Sequence, residues 1–206
     1  MLKVYGRPNS INVQKVMWTV GELGLDHERI DAGGVFGGLD TAAYGAMNPN
    51  RRIPVLKDGE VVVWESQACV RYLAARYGSG RLWDEDPAQR SLADRWMDWK
   101  STTLQPLLHV VFWGLVRTPE EQRDHAAIDR AGVEIRPVWQ ILEDHLGRRN
   151  YVAGDHFTMG DIPLGCAWWR YSNLDLDKPE VPNIQSWFER LHSREAFRQH
   201  VMVPVT

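Results

Sequence analysis

The sequence predicts an α/β half followed by an all-helical half. Strand and helix signals alternate in the order βαβαββα over the first 78 residues, whereas every strong periodic signal beyond Pro87 is helical. Tryptophan follows the same division, with seven of ten falling after residue 90, so the two halves build different cores. The expected organisation is residues 1–78, a linker over 79–87 ("GSGRLWDED" leading into Pro87), and a helical domain over 88–206.

In the first half, Leu2 to Tyr5 reads as a strand that breaks into the turn "GRPNS". Val13, Val16, Met17, Val20 and Leu23 keep to one helix face, and Gly24 supplies the residue most often found just past a helix end. "ERID" at 28–31 is a second strand, "AGGVFGG" a loop, and Asp40 to Met47 a short helix or turn. Next comes "NPNRRIPVLKDGEVVVWES". Its strand starts at Pro54, Asp58-Gly59 supplies a type I′ turn, and Glu60 to Trp64 returns as the partner strand. Pro54 has no N–H for a ladder, so the backbone at Ile53 is left open. An open edge beside the acid–hydroxyl pair Glu65-Ser66 is a place to hold an extended peptide. A helix then runs from Ser66 to Tyr77 and stops at Gly78, with Ser66 a good N-cap.

In the second half, Trp96, Trp99, Thr103 and Leu107 share a helix face, and Pro106 predicts a bend there. Ile128, Ala131, Ile135, Val138 and Leu142 form another helical stripe. "FTMGDIPLGCAWW" is apolar all round from Ile162, as a helix at the centre of a bundle must be. It opens on a capping box of Thr158 and Asp161.

Composition narrows the function. The chain is 44% hydrophobic and 25% charged, enough for a packed core. A net charge of −3 gives no attraction for nucleic acid or anionic membrane, and no apolar run approaches the roughly 20 residues of a bilayer span. The start "MLKVYGRPNS" has no signal-peptide core, and Cys69 and Cys166 sit in apolar helical patterns as free buried thiols; a cytoplasmic protein is expected. The seven histidines lack ligand spacing such as H-x-x-x-H, so no metal is expected. "GGVFGG" is not followed by Gly-Lys-Ser/Thr, which argues against a phosphate cradle and for a loop beside the substrate.

Four pieces in order, "GRPNSINVQKV", "NPNRRIPVL", "WES" and "GDHFTMGDIP", resemble the cytosolic glutathione transferases over nearly the whole chain. The resemblance implies a thioredoxin-like first domain that binds glutathione and a helical domain supplying much of the electrophile pocket. It implies a cis bond before Pro54, with Ile53 pairing its N–H and C=O to the backbone of the glutathione cysteine; an ordinary edge strand is the plainer reading of Pro54. Glu65 would pair the glutamyl ammonium, while Ser66 and the helix start take its carboxylate; simple capping would also account for Ser66. Arg52 suits the glycine carboxylate, and Arg51 stands where the family commonly has Gly, which puts the local backbone geometry in question. At the thiol end stand Ser10, matching the Ser-type branch, and Asn12, matching the Asn of some bacterial disulfide-reducing relatives. Helix cap and first-turn polar residue are their structural alternatives. The family lines its electrophile pocket from the first long helix of the second half, here with His109, Phe112, Trp113 and Arg117, although a core position is the plainer expectation for Trp113.

The implied activity is attack of enzyme-bound glutathione thiolate on a hydrophobic electrophile, a detoxification chemistry, in a homodimer. Glutathione-dependent disulfide or peroxide reduction is the alternative that Asn12 raises. A non-catalytic binding or regulatory protein of the same fold is the alternative from another class.

Overall fold

Leu2–Tyr5 (β1) pairs in parallel with His27–Ile30 (β2) on one side and antiparallel with Val55–Asp58 (β3) on the other. β3 pairs antiparallel with Val61–Trp64 (β4), giving the order β2-β1-β3-β4. A computed structural model describes residues 1–206 as two compact units. One comprises Met1–Asp84 and Glu195–Val203; the other comprises Glu85–Arg194 and Pro204–Thr206.

Period-2 alternation sends β-strand side chains to two separate cores in the first unit. Leu2, Val4 and Leu56 face Ile11–Glu22 (α1) and Ser66–Tyr77 (α3), packing with Val13, Val16, Met17, Val20, Cys69 and Leu73. Val55 faces the opposite way, onto Tyr44 of the short helix Ala42–Met47 (α2) and onto Ala32. The element order of the first 78 residues is the one expected from the sequence, with a 3₁₀ turn at Gly34–Phe36 inside the glycine-rich loop.

Two local expectations are corrected. Asp58 pairs with Val61, so the turn residues are Gly59-Glu60 and not Asp58-Gly59. Gly59 alone has positive φ (59°), which suits a type II′ turn. The Asp58 carboxylate is held instead by the hydroxyls of Tyr72 and Tyr77, which keep it below its ordinary pKa. At α3 the N-cap is Glu65, not Ser66, which is already the first helical residue.

The chain end also differs from the 88–206 division. Glu195–His200 (α9) packs on α1 within the first unit, where Phe197 lies edge-on to the buried Trp18 at 4.7 Å between ring centroids. This apolar contact is local to α1, and nothing in the C-terminal sequence names its partner.

In the second unit, Pro87–Trp99 (α4) continues through a π-helical turn, Lys100–Leu104, into Gln105–Phe112 (α5). Pro106 has no N–H to donate to the carbonyl four residues back, and the wider turn absorbs that loss. The turn also rotates the buried face. Leu104, Leu108 and Val111 point inward, while Thr103 is exposed and Leu107 only half-buried, so the Trp96–Trp99–Thr103–Leu107 stripe does not hold across the bend. A second π-helical turn, Trp113–Arg117, ends this helix. His125–Leu146 (α6) buries Ile128, Ala131, Ile135 and Leu142 as its stripe predicts, with Val138 half-buried.

Asp161–Ser172 (α7) runs through the centre of this unit and Pro182–His192 (α8) flanks it. Asp161 is fully buried, and its carboxylate accepts from the Val152 and Thr158 amides, the Thr158 hydroxyl and the Trp187 indole N–H. The capping box is corrected: α7 begins at Asp161 with Gly160 as its N-cap, so Thr158 lies two residues ahead of that cap, and its amide bonds Asp161 while its hydroxyl accepts from the Gly160 amide. Burial raises the Asp161 pKa and these four donors oppose the rise. Every partner donates, so an amide nitrogen placed there would face donors. Asp161→Asn should therefore destabilise the protein by about 3 kcal/mol, read as a lower urea midpoint; an unchanged midpoint would contradict this role.

Candidate functional site

The site is assembled where α1 and α3 begin beside the segment leading into β3. The turn after β1 sits close against its surroundings: a methyl group on Gly6 would lie 2.4 Å from Val13 Cγ2 and 3.3 Å from Ile53 Cβ. This places Ile53 against the turn that delivers Ser10 to the start of α1. Ser10 is extended (φ −85°, ψ 121°) and half-buried, and its hydroxyl caps nothing. The first-turn amides of α1 are therefore left as open donors at the positive end of the helix.

The segment before β3 is held by its own polar contacts. The Tyr44 hydroxyl and the Asn48 side-chain amide both donate to the Arg52 carbonyl, at 3.0 and 2.8 Å. Burial pushes the Tyr44 phenol up to about 12, so it remains a donor at neutral pH. The Ile53-Pro54 bond is cis, as the sequence resemblance implies. Ile53 lies just ahead of β3, outside both of its ladders. Arg51 does take a left-handed conformation, φ 51°, at the position where Gly is usual. Its guanidinium offsets that cost by donating to the carbonyls of Leu39 and Thr41, at 2.8 and 3.0 Å. Arg52 is exposed and its guanidinium has no ion-pair partner.

Glu65 is the other non-glycine residue with positive φ (69°, ψ 116°), a conformation costing on the order of 1–3 kcal/mol. Its side chain is exposed and caps nothing in α3, so the local fold gains no bond from it. Strain without a local return marks Glu65 as a candidate to face a ligand. Ser66 is buried, and its hydroxyl lies 3.3 Å from Asn12 Oδ1, which joins the starts of α1 and α3. Between them sits a residue that the sequence reading missed. Lys15, only 2% exposed, donates to Asn12 Oδ1 at 2.9 Å and to Ser66 Oγ at 3.1 Å. Its only sequence signal is the three-residue spacing from Asn12 on one helix face.

The nearby Cys69 thiol is pushed up to about 12, chiefly by burial and further by the Glu65 charge, so it carries no thiolate at neutral pH. Ser10, Asn12, Ile53, Pro54, Glu65 and Ser66 thus belong to one neighbourhood of the first unit. Phe112 and Trp113 lie in the second. Phe112 is buried, with the Arg170 guanidinium 3.9 Å from its ring centre. Trp113 does not face a core: it is 50% exposed, 5.4 Å from the His109 ring.

Comparison with known proteins agrees with this arrangement. Residues 9–76 match the family model for the glutathione S-transferase N-terminal domain, and residues 104–195 match the one for the C-terminal domain. Glutathione S-transferase GstB of Escherichia coli is 43% identical, with both chains covered in full. The chain belongs to the glutathione S-transferase family. It is accordingly an enzyme of the transferase class, and the non-catalytic alternative is set aside. Glutathione S-transferase 3 of Zea mays is 31% identical over 97% of this chain and 93% of its own. A crystal structure of the theta class transferase from Xanthomonas axonopodis pv. citri, with glutathione bound, superposes with a TM-score of 0.96 at 43% identity. It covers all of this transferase and 99% of the crystallised chain. The transferase has no helix long and apolar enough to cross a membrane.

The positive φ at residue 51 can be tested without ligand. Arg51→Ala and Arg51→Gly both remove the guanidinium contacts, but only glycine adopts this conformation freely. The glycine variant should be more stable by about 1 kcal/mol in urea unfolding; an alanine variant of equal or greater stability would contradict the strain.

Proposed function

We propose that this transferase binds glutathione along Ile53 and between the starts of α1 and α3, and that the bound thiolate attacks a hydrophobic electrophile. The observation that carries the reading is the set of unused polar groups gathered there: the Ser10 hydroxyl, the α1 amides, the Ile53 backbone and the Glu65 carboxylate. The family membership and the glutathione-bound Xanthomonas relative support it. In this reading Ile53 pairs with the central peptide unit, Glu65 takes the glutamyl ammonium, Ser66 and the α3 amides take the glutamyl carboxylate, and Arg52 takes the glycine carboxylate.

A free thiol with a pKa near ~8.5 is only a few per cent ionised at neutral pH. Lowering it by about 2 units takes roughly 2.7 kcal/mol of preferential stabilisation of the anion. One hydroxyl or amide donor with the positive end of α1 supplies that order of energy. The thiolate then forms the carbon–sulfur bond at the electrophile, and the leaving group, or the electron pair of an added-to double bond, accepts the displaced charge. In the second unit the half-exposed Trp113 indole gives apolar surface of the kind such an electrophile favours. A homodimer in the cytoplasm completes the reading. The exposed Val61, Val62 and Trp64 on edge strand β4 support the dimer, and the free buried thiols suit a reducing compartment.

A second reading is favoured by Asn12, whose side chain stands exposed at the first turn of α1. With Asn12 nearest the sulfur, the bound thiolate would reduce disulfides or peroxides, two glutathiones becoming one glutathione disulfide. The two readings separate by assay: conjugation of a halogenated nitroaromatic should exceed disulfide reductase activity under the first and fall below it under the second.

Glu65→Ala and Ser66→Ala should each weaken glutathione binding about 10- to 100-fold by calorimetry, the loss of charge-assisted hydrogen bonds. Unchanged affinity in both would place glutathione elsewhere. Ser10→Ala should raise the pKa of the bound thiol by about one unit or more and lower conjugation in step, since only the thiolate attacks. An unchanged pKa would remove Ser10 from the thiolate contacts.

A further inference from the structure

A buried lysine is costly unless it is bonded, and a leucine or methionine would fill the same space in α1 without that cost. Lys15 is buried on α1 along with the apolar Val13, Val16 and Met17, and it is the one charged residue among the helix's buried positions, where Gln14 and Thr19 are the other polar ones. Its ammonium reaches Asn12 Oδ1 and Ser66 Oγ, while Ser66 Oγ is also within 3.3 Å of Asn12 Oδ1. The three groups form a closed triangle at the junction of α1 and α3.

An ammonium has donors only. The atom of Asn12 that meets it must therefore be the carbonyl oxygen, which turns the Nδ2 amide away from the triangle, where it is left as a donor. The Ser66 hydroxyl accepts from Lys15 and donates its own proton to the same Asn12 Oδ1, so that oxygen is held by two donors. We infer that Lys15 is a positioning residue for the reaction: one buried cation, with Ser66 bridging it to the same oxygen, fixes Asn12 as an N–H donor to the glutathione thiolate. The inference rests on the glutathione site proposed above and adds how its donors are held. The titratable groups facing this cluster from α3 are Glu65 and Cys69. The Glu65 and Lys15 charges act on Cys69 in opposite directions, and burial keeps its thiol neutral.

The experiment is a mutant cycle on the full-length protein with Lys15→Met, Asn12→Ala and the double variant. For each, the bound-thiol pKa is read from thiolate absorbance and from the pH profile of kcat/KM, with glutathione Kd by calorimetry and Tm as a control. Lys15→Met should raise the thiol pKa by about one unit and weaken glutathione about tenfold. On the Asn12→Ala background it should add little to the pKa, because its action on the sulfur passes through that amide. A Lys15→Met shift that is absent, or that adds in full to Asn12→Ala, would overturn the inference.

Should Lys15→Met fail to fold, Asn12→Asp decides the same point. Aspartate keeps the partner of Lys15 and holds the fold, but presents oxygen where the amide N–H stood, so the thiol pKa should rise more than in Asn12→Ala. A thiol pKa equal to that of the native protein would overturn the inference. The two levels also separate. A native protein that does not bind glutathione removes the site itself, and Lys15 with it. Glutathione binding with a pKa moved by Asn12→Ala but not by Lys15→Met removes only the role of Lys15.

Discussion

Everything in the first unit depends on keeping one stretch of backbone unpaired yet immobile, and Ile53 is where that constraint is met. An unpaired strand edge is ordinarily a liability, because it accepts any extended chain. Here it is short and tightly held. The Ile53 side chain packs against both apolar clusters of the unit, the α1–α3 core on one face of the sheet and the α2 core on the other. Tyr44 and Asn48 hold the carbonyl immediately before it. Its main chain is thus fixed from both faces of the sheet while lying outside the ladders. A peptide that pairs there meets a preorganised partner, and the ordering cost has been met by folding.

The two non-glycine residues with positive φ flank this edge and differ in what they receive for it. Arg51 is compensated inside the fold, by two carbonyls that its guanidinium reaches. Glu65 is not: its carboxylate stays exposed at the start of α3. The proposed glutathione site would give the Glu65 strain a use that the fold itself does not supply. In the second unit the organising group is Asp161, a buried carboxylate that joins the 151–160 segment, the start of α7 and α8 through donors alone. That network ties the 151–160 segment, α7 and α8 together inside the helical unit.

Much of this was legible in the sequence, and the exceptions have physical causes. Turn residues and the change between strand and helix signals placed the strands and α-helices of the first 78 residues to within a residue or two, while the 3₁₀ turn Gly34–Phe36 lay in a stretch that reads as loop. The hairpin turn was displaced by one residue because the Asp-Gly pair signals a turn without fixing which of its residues closes the ladder; Tyr72 and Tyr77, distant in sequence, take the aspartate. The stripe through Thr103 and Leu107 failed because a π-helical turn ahead of Pro106 changes the phase of the helix, and phase is all that a periodic pattern carries. Turn chemistry and family pattern singled out Ser10, Asn12, Ile53 and Ser66, and the structure brings the starts of α1 and α3 together at Asn12 and Ser66. Lys15 was not singled out, because a lysine in a helix reads as solvent-exposed; only the packing of α3 on α1 buries it.

The central claim is that glutathione lies along Ile53 with its sulfur at the start of α1. A crystal structure of this protein with glutathione bound tests it most directly. The account predicts antiparallel pairing of the cysteinyl backbone with the Ile53 N–H and C=O, the glutamyl end on Glu65 and Ser66, and the sulfur within about 3.5 Å of Ser10 Oγ or Asn12 Nδ2, the reach of a sulfur hydrogen bond. Glutathione seated away from Ile53, or paired there with its sulfur turned away from α1, would contradict it.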